Sequence, residues 1–84
     1  MLIYVWNLSP FVSEDSFRQI FEAFGKVSSA LVSSTSLQDR ENGRLRKFAF
    51  VEMPDLDEAQ AAIMSLNRKV LLGRHMILFG SSEN

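Results

Sequence analysis

Three short stretches of the chain, residues 2–8, 47–53 and 75–79, are rich in apolar, β-branched and aromatic residues and are predicted to be strands. Successive residues of a strand point to opposite faces of the sheet, so every second residue of each stretch would face the core. A fourth stretch, 27–34, alternates less regularly, so we expect its strand to begin late or to contain a bulge. The residues predicted to point into the core are Ile3, Val5, Val27, Ala30, Val32, Ala49, Val51, Met53, Met76 and Leu78.

Two other stretches place apolar residues at helical spacing. The first begins at Ser13, a candidate N-cap, and is predicted to stop at Gly25, a candidate C′ residue. The second begins at Asp55, with Glu58 at the third helical position. The apolar stripes are Phe17, Ile20, Phe21 and Phe24 in the first helix, and Leu56, Ala59, Ile63 and Leu66 in the second.

The element order is therefore βαββαβ, which predicts an α+β sandwich with two helices on one face of a four-stranded antiparallel sheet. Residues 35–45 are polar and contain Asn42-Gly43, a turn pair, so we expect a long hairpin loop there. Neither repeats nor linkers interrupt the 84 residues, and we predict one domain over residues 1–84.

The sheet face away from the helices, here called the outer face, is unusual because it should be polar and is not. Seven large apolar side chains would lie on it, more than the few hundred Å² of contiguous apolar surface that a monomer usually exposes. Such a face implies a partner or a covering segment. The seven residues are Tyr4, Trp6, Leu31, Phe48, Phe50, Ile77 and Phe79.

Composition narrows the kind of partner. The net charge is −1, which argues against a protein that binds mainly by neutralising phosphates and leaves open one that binds by stacking. No apolar run approaches the roughly 20 residues of a membrane span. The first five residues lack the basic region and the cleavage site of a signal peptide. We expect an intracellular, cytoplasmic location, with the nucleus open if the source is eukaryotic. Met1 directly before the first strand favours a natural start.

The sequence contains no pattern typical of a catalytic or metal-binding site. Cysteine is absent, which excludes disulfides and thiolate metal sites. His75 is the single histidine, and no nucleophile–base pair or phosphate-cradling glycine loop is present. We therefore predict no catalytic residue, no metal site and no cofactor, and a protein that is not an enzyme.

Two short motifs, residues 3–8 (IYVWNL) on the first predicted strand and residues 46–53 (RKFAFVEM) on the third, resemble those of the RNA recognition motif family. Residues 46–53, RKFAFVEM, match five of the seven specified positions of its octamer, K/R-G-F/Y-G/A-F-V-x-F/Y. Lys47 replaces the glycine, and Met53 replaces the last aromatic residue. Residues 3–8, IYVWNL, match the family's hexamer, and the resemblance extends over essentially the whole chain. It implies the ferredoxin-like βαββαβ fold and a small stand-alone RNA-binding protein like those of bacteria.

The resemblance also implies roles for individual residues. Tyr4 and Phe50 would each stack a base, Phe48 would pack between sugars, and Arg46 would meet a phosphate. Strand ends and the loop before Arg46 would add contacts. The full set of predicted RNA-binding residues is Tyr4, Trp6, Asn7, Arg44, Arg46, Phe48, Phe50, Glu52 and Phe79.

Several of these roles have alternatives. Trp6 suits extra stacking and packing on the sheet equally well. Glu52 could accept from a base edge, although a solvated strand carboxylate is the simpler interpretation. Ile77 and Phe79 favour packing or contact with a protein.

The sequence therefore predicts two candidate functions for the outer face. The first is binding of single-stranded RNA, with single-stranded DNA as a possible substitute, through aromatic stacking. The second is a protein-interaction module or weak homodimer that uses the same face. The sequence leaves open whether Trp6, Leu31, Ile77 and Phe79 contact RNA or protein. A dimer that persists at micromolar concentration and resists RNA would favour the second function.

Overall fold

The computed structural model describes residues 1–33, 37–38 and 45–81, with the backbone alone described for 37–38 and 45–47. Seven strands and two helices follow one another along this part of the chain. They are β1 (Leu2–Leu8), α1 (Glu14–Glu22), β2 (Ser29–Val32), β3 (Leu37–Gln38), β4 (Leu45–Glu52), α2 (Leu56–Leu66), β5 (Val70–Leu71), β6 (Arg74–His75) and β7 (Ile77–Ser81).

The main sheet is antiparallel and has the strand order β2-β4-β1-β7. The predicted four-stranded sheet with two helices is confirmed. The short β3 pairs with the beginning of β4, where Leu37 lies opposite Arg46. The pairing of β1 with β4 shifts register between Val5 and Leu8, a local irregularity near the end of β1.

The core lies between the sheet and the helices, and every residue predicted to point inward is buried or partly buried there. Ala30 and Val32 are the partly buried ones, at the edge strand β2. The fully covered side chains come from both layers, among them Ile3 and Val51 from the sheet and Phe17 and Phe21 from α1. The Phe17 and Phe21 rings lie 5.0 Å apart in a tilted arrangement.

Both helices begin at the predicted caps. The Ser13 side chain accepts from the Ser16 amide at 3.1 Å, and the Asp55 carboxylate accepts from the Glu58 amide at 3.0 Å. Each bond satisfies an amide that has no partner within its own helix.

The end of α1 differs from the prediction. The helix stops at Glu22 with Ala23 as its cap, so Gly25 lies beyond the C′ position. Gly25 has a φ of 154°, and a Cβ there would collide with the side chain of Glu58. That carboxylate accepts from the Lys26 amide at 3.1 Å. The glycine thus permits a close approach between the α1–β2 connection and α2.

The predicted stripe of α2 is wrong at its first member. Leu56 is 52% exposed, whereas Ala62 is fully buried. Leu56 is the first helical residue of α2. The buried contacts come from Ala59, Ala62 and Leu66 further along, with Ile63 partly buried.

The last predicted strand is also corrected. Residues 74–75 belong to a separate hairpin with residues 70–71, and β7 begins only at Ile77. The hairpin turns at Leu72 and Gly73, which both have positive φ, of 49° and 83°. A two-residue turn with two positive φ values matches the right-handed twist of the hairpin strands. Leucine does not favour such a turn, so the sequence did not indicate it.

The other strand bounds differ by a few residues. The strand predicted over 27–34 begins late, at Ser29, which is one of the two expected outcomes. Two parts of the predicted loop over 35–45 are strand instead, namely β3 and the first residue of β4. The Asn42-Gly43 turn lies outside the described residues.

Candidate nucleic-acid interface

One row of apolar side chains crosses the outer face from edge to edge. Phe50 of β4 lies opposite Leu31 of β2 and also opposite Tyr4 of β1, and Tyr4 lies opposite Phe79 of β7. Each of the four strands therefore contributes one member. Directly opposed side chains in an antiparallel pair are close enough to touch, so the row is continuous.

A second row lies beside the first, toward the end of β1. Trp6 is paired with Ile77, and its ring centroid lies 5.6 Å from that of Phe48 at an interplanar angle of 32°. This separation is within the range of favourable aromatic pairs. Phe48 and Trp6 are therefore in contact with each other, and the two rows together hold all seven predicted outer-face residues.

The outer-face side chains are open to solvent. Tyr4 and Trp6 are 40% and 44% exposed, and Phe79 is 55% exposed, while Phe48 and Phe50 are partly buried. The predicted outward orientation of this set is confirmed. Exposed aromatic side chains are what base stacking requires.

A more polar row bounds the outer face at one end. It runs through Ser29, Glu52, Leu2 and Ser81 on the four strands. The Glu52 carboxylate lies 3.5 Å from the amino group of Met1 and its side chain is 39% exposed. Glu52 is thus at the border of the outer face, engaged in a partly exposed ion pair.

At the opposite end, Asn7 links β1 to the β5–β6 hairpin. Its Nδ2 donates to the His75 carbonyl oxygen at 2.8 Å, and its Oδ1 accepts from Arg74 Nη1 at 3.3 Å. The backbone of Asn7 has a φ of 60°, a conformation that asparagine tolerates better than most residues. The sequence predicted Asn7 as an RNA contact and missed this linking role.

A groove of about 420 Å³ opens beside β2, at the edge of the sheet. We call it the β2-edge groove, and its lining residues are Glu14, Leu31, Val32, Ser33, Phe48, Ala49 and Phe50. Glu14 reaches it from α1, because its Oε2 accepts from the Val32 amide at 3.3 Å. Sequence reasoning assigned no binding role to Glu14, since nothing local connects a first-turn acid with a strand 18 residues away.

The predicted basic contacts are only partly described. Arg44 lies outside the described residues. Arg46 is on β4, but its side chain is outside the described part of the chain. Within the described residues, no group of three or more His, Cys, Asp or Glu side chains could hold a metal ion. No helix in the described ranges is long and apolar enough to cross a membrane.

Known proteins resemble the chain in sequence and in fold. The profile of the RNA recognition motif matches residues 3–77. RbpF, named as an RNA-binding protein of Nostoc sp., is 41% identical over 76 residues, which are 90% of this chain and 69% of RbpF.

Two solved structures extend the likeness to three dimensions. The crystal structure of RNA binding protein PG1 has a TM-score of 0.76 at 38% identity, covering 100% of this chain and 96% of PG1. Pes4 RRM3 has a TM-score of 0.82 over 99% of this chain and 93% of its own, at 18% identity, which supports the fold alone.

Proposed function

This chain belongs to the RNA recognition motif family, and we propose that it binds single-stranded RNA by stacking bases on the outer face. The observation that carries this function is the row that joins Phe50, Tyr4 and their neighbours across all four strands. RbpF and PG1, the relatives described above, are both named as RNA-binding proteins.

Stacking explains how a protein with a net charge of −1 can bind a polyanion. Each base offers a π-face, so stacking on an aromatic side chain is worth about 1–3 kcal/mol per base and tolerates many sequences. In this proposal Tyr4 and Phe50 each stack a base. They lie directly opposite each other on adjacent strands, so neighbouring nucleotides could occupy them together.

The remaining predicted residues take secondary roles. Phe48 packs against sugars and supports Trp6, whose ring it contacts. Phe79 extends the first row onto β7. Arg46 is proposed to meet a phosphate. Single-stranded DNA could occupy the same face, because stacking does not use the 2′-hydroxyl.

The first prediction concerns Phe50. Phe50→Ala should weaken the binding of short single-stranded RNA roughly ten- to a hundred-fold, because it removes one stacking platform. Phe50→Leu should weaken binding nearly as much, since it keeps an apolar side chain but removes the ring. Fluorescence anisotropy with labelled oligonucleotides measures both effects.

Met64→Ala is the matched control for Phe50, because Met64 is 85% exposed and lies on α2, away from the outer face. It should leave RNA affinity unchanged. If Phe50→Leu binds RNA like the unaltered protein while Phe50→Ala does not, the face acts through apolar contact and base stacking is the wrong mechanism.

A second candidate function is protein contact or homodimerisation through the same face. The favouring observation is that Leu31, Ile77 and Phe79 carry the apolar rows out to both edges of the sheet and are 41–55% exposed. A dimer that persists at micromolar concentration and that RNA does not dissociate would support this function. Dissociation of such a dimer by RNA would instead make the two functions compete for one surface.

We propose further that the role is binding and not catalysis, in keeping with the RNA-binding relatives. We propose a cytoplasmic location, in keeping with the Nostoc relative. Fractionation of cells that express the tagged chain would test the location.

A further inference from the structure

The β2-edge groove is continuous with the stacking surface. Leu31, Phe48 and Phe50 line it and also belong to the outer face. Its volume of about 420 Å³ lies within the roughly 300–1,000 Å³ of small-molecule sites. A nucleotide strand that lies across the outer face toward β2 would therefore reach the groove with its next base.

Glu14 supplies the polar chemistry of this groove. β2 is an edge strand, so the Val32 amide that points away from β4 has no strand partner, and Glu14 Oε2 accepts from it at 3.3 Å. This bond fixes the carboxylate at the groove. An ionised carboxylate has about four acceptor positions on its two oxygens, so one amide leaves capacity for further donors.

A fixed carboxylate selects among the four bases because it accepts hydrogen bonds and donates none. Guanine presents two adjacent donors, N1–H and N2–H, on its Watson–Crick edge. Adenine and cytosine each present one amino group next to a ring acceptor, and uracil presents one N–H between two carbonyl groups. A carboxylate can meet both guanine donors, while it faces an acceptor next to the donor on each of the other bases.

We propose that the β2-edge groove is a guanine-binding subsite in which Glu14 accepts from the base. Phe48 and Phe50, which also belong to the outer face, border this subsite, and Glu14 provides its specificity. The proposal rests on the RNA binding proposed above and adds a base preference to it.

The test uses the full chain with a uridine hexamer and six variants of that hexamer, each with guanosine at one position. The unaltered protein should bind one of the six about ten-fold more tightly than the plain hexamer, since a good carboxylate–base pair discriminates by about that factor. Inosine lacks the N2 amino group, and at the same position it should lose part of the preference.

Three variants attribute the preference to Glu14. Glu14→Ala should bind the guanosine and plain hexamers within about two-fold of each other. Glu14→Gln keeps an acceptor for the Val32 amide without the charge, and should show an intermediate preference because charge-assisted hydrogen bonds are roughly twice as strong as neutral ones. Asp15→Ala is the matched control, because Asp15 is an exposed acid in the same first turn.

Asp15→Ala should keep the full preference for guanosine. Removing a negative charge could raise RNA affinity in general, and that gain should be equal in the two alanine variants.

A guanosine preference that survives in Glu14→Ala, or the absence of a preference from the unaltered protein, would overturn the proposed subsite. Failure of the unaltered protein to bind any hexamer would overturn the RNA-binding function itself, so the two failures are distinguishable.

Discussion

Asn7 combines two requirements in one side chain. Its backbone adopts a positive φ of 60°, and its amide joins β1 to both His75 and Arg74. Asparagine is one of the few residues that meets the backbone requirement at low cost and carries a donor and an acceptor together. Trp6 is the neighbouring residue, so this link also holds the end of β1 that contributes Trp6 to the second row.

Asn7→Ala should lower the free energy of unfolding by about 1–3 kcal/mol, because it removes two hydrogen bonds and puts alanine, which tolerates positive φ less well than asparagine, at this position. Asn7→Gly loses the same bonds without the backbone strain, so its loss should be smaller. Urea denaturation of both variants measures the difference. Equal losses would mean that the left-handed backbone at position 7 carries no cost.

Glu14 marks the limit of residue-level prediction from sequence. The outward orientation of Tyr4 and Phe50 follows from strand parity alone, which is why the sequence could identify them. The position of Glu14 beside Val32 depends on how α1 packs against the edge of the sheet. No periodicity or spacing in the sequence indicates that contact, so the groove could not be predicted without the fold.

Helix α2 shows which part of an element the sequence can predict. Its cap was predicted correctly because Asp55 and Glu58 interact locally, within one turn. Its buried face was predicted only in part, because apolar spacing alone does not show which residues of the stripe pack against the sheet. The β5–β6 hairpin was missed for a related reason, since Leu72 adopts positive φ without a residue type that favours it.

The buried face of α2 gives a direct prediction. Leu66→Ala should destabilise the protein by about 2–5 kcal/mol, because Leu66 is 6% exposed and its truncation leaves a cavity. Leu56→Ala, the matched control, should cost no more than about 0.5 kcal/mol at its exposed position. Denaturant unfolding of the two variants measures this contrast. A comparable loss for Leu56→Ala would mean that Leu56 packs in the folded protein.

The whole molecule combines an apolar outer face with a net charge of −1. The seven outer-face side chains include no acidic residue, lysine, arginine or histidine. The fold as a whole could be predicted because strand alternation, helical stripes and both family motifs agree on one topology. The sequence could not decide between RNA and protein as the partner, because either one would cover an apolar face.

RNA affinity should depend only weakly on salt concentration, because the proposed interface relies on few charged contacts. Each phosphate contact to single-stranded nucleic acid contributes about −0.7 to the slope of log K against log salt, and we expect a total no steeper than about −1.5. Arg46→Ala should reduce the steepness by about 0.7 if Arg46 meets a phosphate. Lys26→Ala removes the same charge from the α1–β2 connection and serves as control. A much steeper slope would identify phosphate neutralisation as the main source of affinity.

The central position of β1 has a consequence for the order in which the protein can be made. Its two neighbours in the sheet come much later in the chain, with Leu2 opposite both Glu52 and Ser81. Pairings between such distant residues are slow to form, because a long loop must close before any contact rewards it. During synthesis β1 emerges first and has no complete sheet to join until β7 has left the ribosome. A nascent chain that ends before β7 lacks Phe79, so it cannot present the complete surface formed by Tyr4, Phe50 and Phe79.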